Sequence, residues 1–147
     1  MAITNGYVTL NEVKDALNLE DSIDNAALEM AIATASRQID DYCGRFFYKD
    51  GTELLPATRY YTPDNWWILP VDDFVSITQL ATDDFFDQNY STIWNISDRM
   101  FEPVNNPSRG WPRNRILAIG SYVFPQLLPQ SVRVRGVFGW SEVPYEV

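Results

Sequence analysis

Histidine is missing from all 147 residues of the sequence. Its absence removes the side chain most often used as a general base and as a metal ligand near neutral pH. It also removes any Ser-His or Cys-His nucleophile pair. Cysteine occurs once, at Cys43, so no internal disulfide can form, which suits a reducing cytoplasmic origin. Cys43 stands at the end of a helical pattern, where a helix C-terminus does not lower a thiol pKa, and is read as buried and inert. No apolar run is long enough to span a bilayer. The opening Met1-Ala2-Ile3-Thr4-Asn5-Gly6 has neither the basic nor the apolar region of a signal peptide. Basic residues are few: Lys and Arg number 11 against 20 Asp and Glu, for a net charge of -9. So acidic a chain is poorly suited to gripping phosphates, and it lacks the basic amphipathic helix of a membrane-surface binder. GxGxxG and Walker loops are absent as well.

What remains is ample for a core. A chain of this length buries about two-thirds of its unfolded surface and needs neither disulfide nor metal to fold. Apolar residues are 46 % and aromatics 14 % of the sequence, and the aromatic share is high. Aromatics supply large contact areas in cores and at interfaces alike.

The first third reads as two helices. Thr9-Leu10-Asn11-Glu12 is a capping box, followed by Val13, Ala16 and Leu17 at helical spacing, with an end expected near Leu19. Asp24 is placed to N-cap a longer helix. Along it Leu28, Ile32, Ala35, Ile39 and Tyr42 form one apolar stripe, and Gly44 is placed to end it in a left-handed cap. Past Phe47 the pattern changes. Lys49-Asp50-Gly51 signals a turn, and Pro56, Pro63 and Pro70 break any helix. Short β-prone runs follow at 58–62, 66–69, 75–81, 92–96, 115–119 and 131–138. The last alternates Val132 and Val134 with Arg133 and Arg135, one face buried and one wet. The expected fold class is α+β: a helical hairpin of one short and one long helix, then a small antiparallel β-sheet or barrel-like β-domain. The expected division is a helical part over 1–48 and a β-rich part over 49–147, together one structural unit.

Charge is segregated along the chain. Tyr60 to Asp98 holds seven Asp and no Lys or Arg, whereas Arg99 to Arg135 holds six Arg and one acidic residue, Glu102. Cross-strand pairing within one subunit explains this. So do two complementary faces that meet between identical subunits, a heterologous contact that closes into rings. The candidate contact residues are therefore Asp72, Asp73, Asp83, Asp84 and Asp87 on one side. Arg99, Arg109, Arg113 and Arg115 stand on the other. Trp66, Trp67, Phe85 and Phe86 are candidate apolar anchors.

The chemistry-bearing alternatives are thin. Asp83 to Asn89 lacks the glycine and glutamate of a calcium loop and reads as a polar hairpin tip that exposes Phe85 and Phe86. Asp72 and Asp73 are adjacent on a strand and point to opposite faces, so they do not converge on one substrate. Trp66-Trp67 reads as core plus interface anchor, or as a stacking platform. No catalytic residue, metal ligand or cofactor site is expected.

Residue order carries a resemblance. Tyr7-Val8-Thr9-Leu10 with Glu12-Val13-Lys14 and Ala16-Leu17 resembles the start of tailed-bacteriophage head-to-tail adaptor (connector) proteins. The likeness continues through Asp24 to Leu28, Ala35-Ser36-Arg37-Gln38-Ile39-Asp40 and Tyr42-Cys43-Gly44-Arg45-Phe46-Phe47. Thr58-Arg59-Tyr60-Tyr61, Leu69 to Asp73, Ser76-Ile77-Thr78, Ala81-Thr82-Asp83 and Gly136 to Trp140 with Val143-Pro144 resemble the version with an inserted β-domain, common in phages of actinobacteria. The resemblance implies a non-catalytic virion protein of the neck, assembled in the host cytoplasm. It implies a homo-oligomeric ring, commonly of twelve, that binds the portal protein above and a stopper or tail-completion protein below. DNA passes through the lumen without specific binding, and no membrane is involved. Such proteins often continue past the Gly-Trp…Val-Pro block into another helix, whereas this sequence ends at Val147. Two rival functions stand beside this one: a small carbohydrate- or peptide-binding β-module, and a glycosidase-like enzyme with paired carboxylates.

Overall fold

A computed structural model describes residues 3–147; Met1 and Ala2, part of the stretch read for a leader, lie outside the described residues. Two helices are followed by a six-stranded antiparallel sheet, an α+β fold as expected. The chain divides into two compact units, Met1–Tyr48 with Glu142–Val147, and Lys49–Ser141.

Within the first unit, helix α1 spans Leu10–Leu17 and α2 spans Asn25–Cys43. The capping box forms: the Glu12 amide donates to Thr9 Oγ1 at 3.2 Å, and the Thr9 amide donates to Glu12 Oε2 at 2.7 Å. α1 ends two residues earlier than expected, because Asn18 takes a left-handed conformation (φ 54°) and the Leu19 amide turns back to the Lys14 carbonyl at 2.9 Å. Gly44 caps α2 in the same way, at φ 66°. Asp24 occupies the N-cap position, but its side chain makes no capping hydrogen bond.

The stripe expected on α2 is corrected by the structure. The buried residues are Ile32, Ser36 and Asp40, spaced four apart, and Tyr42 is 92 % exposed. Two polar side chains are buried there because Tyr7 uses them. The Tyr7 amide donates to Ser36 Oγ at 3.1 Å, Ser36 donates on to the Ile32 carbonyl at 2.7 Å, and the Tyr7 phenol donates to Asp40 Oδ1. Arg37 Nε lies 2.9 Å from Asp40 Oδ2, and the Phe47 amide donates to the Tyr7 phenol oxygen at 2.9 Å. Periodicity marks apolar positions and is blind to a buried polar row of this kind.

Burial and donation to Asp40 push the Tyr7 phenol up to about 12 from an ordinary 10.0. The folded chain thus holds this proton more tightly than the unfolded chain. The resulting stability is fully present below pH 10 and declines as pH rises from about 10 toward about 12. Tyr61, partly buried and donating to Asp72, is shifted in the same direction. Tyr7→Phe is expected to lower stability by about 2 kcal/mol at pH 7, since Asp40 loses its phenol and the Phe47 amide its acceptor. It should also flatten part of the alkaline decline, as read from urea midpoints at pH 7, 9 and 11. An unchanged midpoint at pH 7 would dismiss the network.

The second unit holds strands β1 (Ala57–Tyr61), β2 (Ile68–Thr82), β3 (Thr92–Ile93), β4 (Arg99–Glu102), β5 (Arg113–Ala118) and β6 (Val132–Phe138). Their order is β1-β6-β2-β5-β4, with β3 also paired to β2. Where two runs were expected at 66–69 and 75–81, one strand of 15 residues runs through. Pro70 lies inside it because the ladder is irregular there: the pairing of β2 with β5 shifts register between Pro70 and Phe74. Upstream of the shift β2 pairs mostly with β5, and downstream of it with β6. The run expected at 92–96 ends at Ile93 and passes into a 3-10 turn at Ile96–Asp98, and β4 was not foreseen. The core of this unit gathers Leu69, Phe74, Leu80, Trp94, Ile116, Phe124, Val132, Val134 and Phe138. Val132 and Val134 are buried and Arg133 and Arg135 only partly so, as the alternation required.

Candidate contact surface

The strand β2 delivers the chain to an acidic, aromatic tip at Asp83–Asn89, between β2 and β3. Asp83 is buried, and its carboxylate accepts the backbone N–H groups of Asp87 at 3.1 Å and Gln88 at 2.8 Å. Burial pulls its pKa upward, but those backbone donors outweigh it and hold the carboxyl below its ordinary value. Asp87 accepts from the Asn89 backbone and side-chain amides, both at 3.0 Å, and Asp84 accepts the Thr92 hydroxyl at 2.6 Å. Phe86, Gln88 and Tyr90 take left-handed backbone conformations, at φ 57°, 62° and 45°. Non-glycine residues there need their surroundings to hold them, and the carboxylates do so. Phe85 and Phe86 end up 78 % and 60 % exposed on an ordered loop.

The arginines do not answer these carboxylates within the subunit. Arg99 lies over the Phe101 ring, 5.4 Å from its centroid, and its burial lowers its pKa. Arg133 lies over Tyr90 at 5.0 Å and donates to Gln79 at 3.1 Å. Arg115 approaches Glu102 only to 3.8 Å. Arg113 donates weakly to the Val104 carbonyl at 3.5 Å, and Arg109 ends an exposed 3-10 turn, Asn106–Arg109. Asp72 and Asp73 do lie on a strand but have separate uses. Asp73 accepts the Trp140 indole N–H at 3.1 Å. Asp72 accepts from Arg59 at 2.8 Å and from the Tyr61 phenol at 2.8 Å.

Arg59 was missed by sequence reasoning. It bridges Asp50 and Asp72 at 2.8 Å each and lies 4.3 Å over the Phe138 ring. Burial alone would lower its pKa, but the two carboxylates raise it. Its position immediately before the acidic stretch was the only signal available.

Trp66 and Trp67 are both about half exposed, and their backbone carbonyls accept from Phe124 and Ala118 at 2.8 Å. A second missed feature is the loop after β4. Pro107, Gly110, Trp111 and Pro112 form a shallow groove with Phe74 and Val75 of β2, about 200 Å³ in volume. Small-molecule sites usually run from about 300 to 1,000 Å³. This groove is scaled to a side chain. Trp111 is 52 % exposed in it, and Arg109 and Arg113 flank it in sequence. The clustered Pro, Gly and Trp of 107–112 were read only as a loop.

Cys43 is exposed, not buried as expected, because the C-terminal end of α2 carries its last turn into solvent. Among the described residues no group of three or more acidic or cysteine side chains could hold a metal ion. Nor is any described helix long and apolar enough to cross a membrane.

Residues 7–65 match the family described as phage gp6-like head-tail connector protein. Searches of curated proteins and of solved structures give no match. The matched segment contains both helices, the Tyr7–Ser36–Asp40–Phe47 network and β1. Over this N-terminal segment the chain is thus similar to the phage gp6-like head-tail connector proteins.

Proposed function

We infer that this chain is a structural head-tail connector of the virion neck, which works as a ring of identical subunits that joins the portal to the stopper or tail-completion protein and lets DNA pass through its lumen. The family match over residues 7–65 carries the reading. The ordered tip with two exposed phenylalanines supports it, since a rigid apolar knob suits docking into another protein at low entropic cost. A net charge of -9 suits passage of DNA, because a basic lumen would hold it. The work is binding, with no catalytic step, and assembly takes place in the host cytoplasm. Twelve copies is the expected number.

The test is the mass of the purified chain, alone and with portal, at low and high salt. A closed multi-copy ring, or multi-copy recruitment by the portal, is the expected result. A chain that stays monomeric at all concentrations and ignores the portal would sink the reading in favour of a binding module.

A further inference from the structure

We propose that the Phe85–Phe86 tip of one subunit seats in the Trp111 groove of the next copy of this chain. The inference rests on the ring reading and gives it a specific contact.

Four observations converge on it. The tip offers two exposed aromatic rings, and the groove is an apolar notch of side-chain size. Charge is complementary: Asp84 and Asp87 flank the rings, and Arg109 and Arg113 flank Trp111. Neither set is neutralised by the other within the subunit, as Asp84 is held by Thr92 and Asp87 by Asn89. Finally, a subunit cannot fill its own groove. Val75 at the groove and Asp83 at the base of the tip are joined by eight residues of β2. Extended in one strand at about 3.3 Å per residue, these set them roughly 26 Å apart.

The contact is heterologous, knob on one patch and notch on another, so each subunit has one of each free and copies add head to tail until the rotation closes. One aromatic ring seated in a desolvated notch, with the second against its rim, is the kind of anchor that dominates an interface, and the charges around them set orientation and salt dependence.

Two variants separate the halves of the contact: Phe85→Ser/Phe86→Ser removes the knob, and Trp111→Ser removes the notch wall. All three positions are about half exposed or more, so folding should be spared, which circular dichroism checks. Mass photometry is run on each protein alone and on purified portal. Each variant is expected to lose multi-copy assembly, with at least a tenfold drop in assembled fraction. Mixed in equal amounts without portal, the variants retain one intact contact per pair and should give a two-copy species that grows no further. Either variant assembling or being recruited like the parent chain would overturn the proposal while leaving the ring reading intact. A parent chain that neither assembles nor is recruited would overturn both.

Discussion

Gly136→Ala should lower the stability of the chain by about 3 kcal/mol, the upper end for forcing extra volume into a packed interior, and the melting temperature by roughly 6–12 °C. Gly136 is buried in β6, between Ala57 of β1 and Ile77 of β2. A Cβ placed on it would lie 2.2 Å from the Ser76 carbonyl oxygen and 3.0 Å from the Ile77 Cα. Both are backbone atoms, so no rotamer change relieves the clash, and the two strands must part. β6 is the strand that joins β1 to the rest of the sheet, so the disturbance falls between it and the central strand β2. The contrasting substitution is Gly110→Ala. A Cβ there meets nothing within 4 Å, but φ is +75°. Its effect should be only about 1–2 kcal/mol, the strain of a left-handed alanine. Thermal melts of the two variants decide the point. Equal shifts would mean that close strand approach does not limit this sheet.

That glycine illustrates what the sequence makes legible and what it hides. Alternation along 131–138 identified a half-buried strand, because side-chain period two survives whatever the strand is paired with. The same pattern says nothing about Gly136, whose role depends on a carbonyl sixty residues earlier. Capping signals at Thr9, Glu12 and Gly44 were readable because they act over three or four residues. The buried row Ile32–Ser36–Asp40 was not, because its partner, Tyr7, lies 29 to 33 residues away in sequence. Pro70 misled for a related reason. Two runs are expected on either side of it, at 66–69 and 75–81, yet a register shift accommodates it within one strand. β4 escaped notice because Arg99–Glu102 is short and half charged, and pairs with β5 beyond an intervening turn.

The contact surface divides in the same way. Phe85 and Phe86 could be placed at an exposed tip from composition alone, since two phenylalanines amid Asp, Gln and Asn cannot all turn inward. The segregated charges were plain to count, but their pairing was not. Arg59, just before the acidic stretch, takes Asp72, while Arg99 and Arg133 lie over rings and Arg115 approaches Glu102. Of the four candidate anchors, the tryptophans at 66 and 67 do not line the groove that Trp111 helps to form. Only the return of the 107–112 loop onto β2 creates that groove, and such a return is a tertiary fact.

The tip and the core are coupled through Trp94. This residue is 3 % exposed and stacks on Phe124 with ring centroids 4.7 Å apart. Its amide donates to the Leu80 carbonyl at 2.9 Å, and its indole N–H donates to Thr82 Oγ1 at 3.2 Å. Leu80 and Thr82 close β2 immediately before the tip, and β3 leads from the tip back to Trp94. Trp94→Ala should therefore lower stability by about 3–5 kcal/mol through the lost ring and the cavity it leaves. It should also loosen the neck of the tip in the molecules that remain folded. Trp94→Phe keeps most of the ring and loses the indole donor, and the expected loss is nearer 1 kcal/mol. Urea unfolding measures the first effect, and limited proteolysis between Asp84 and Asn89 under native conditions measures the second. If the tip of the alanine variant resists cleavage as well as the parent does, Trp94 is a core residue only. If it is cut faster than global unfolding allows, the same residue that completes the core also keeps Phe85 and Phe86 in position to dock.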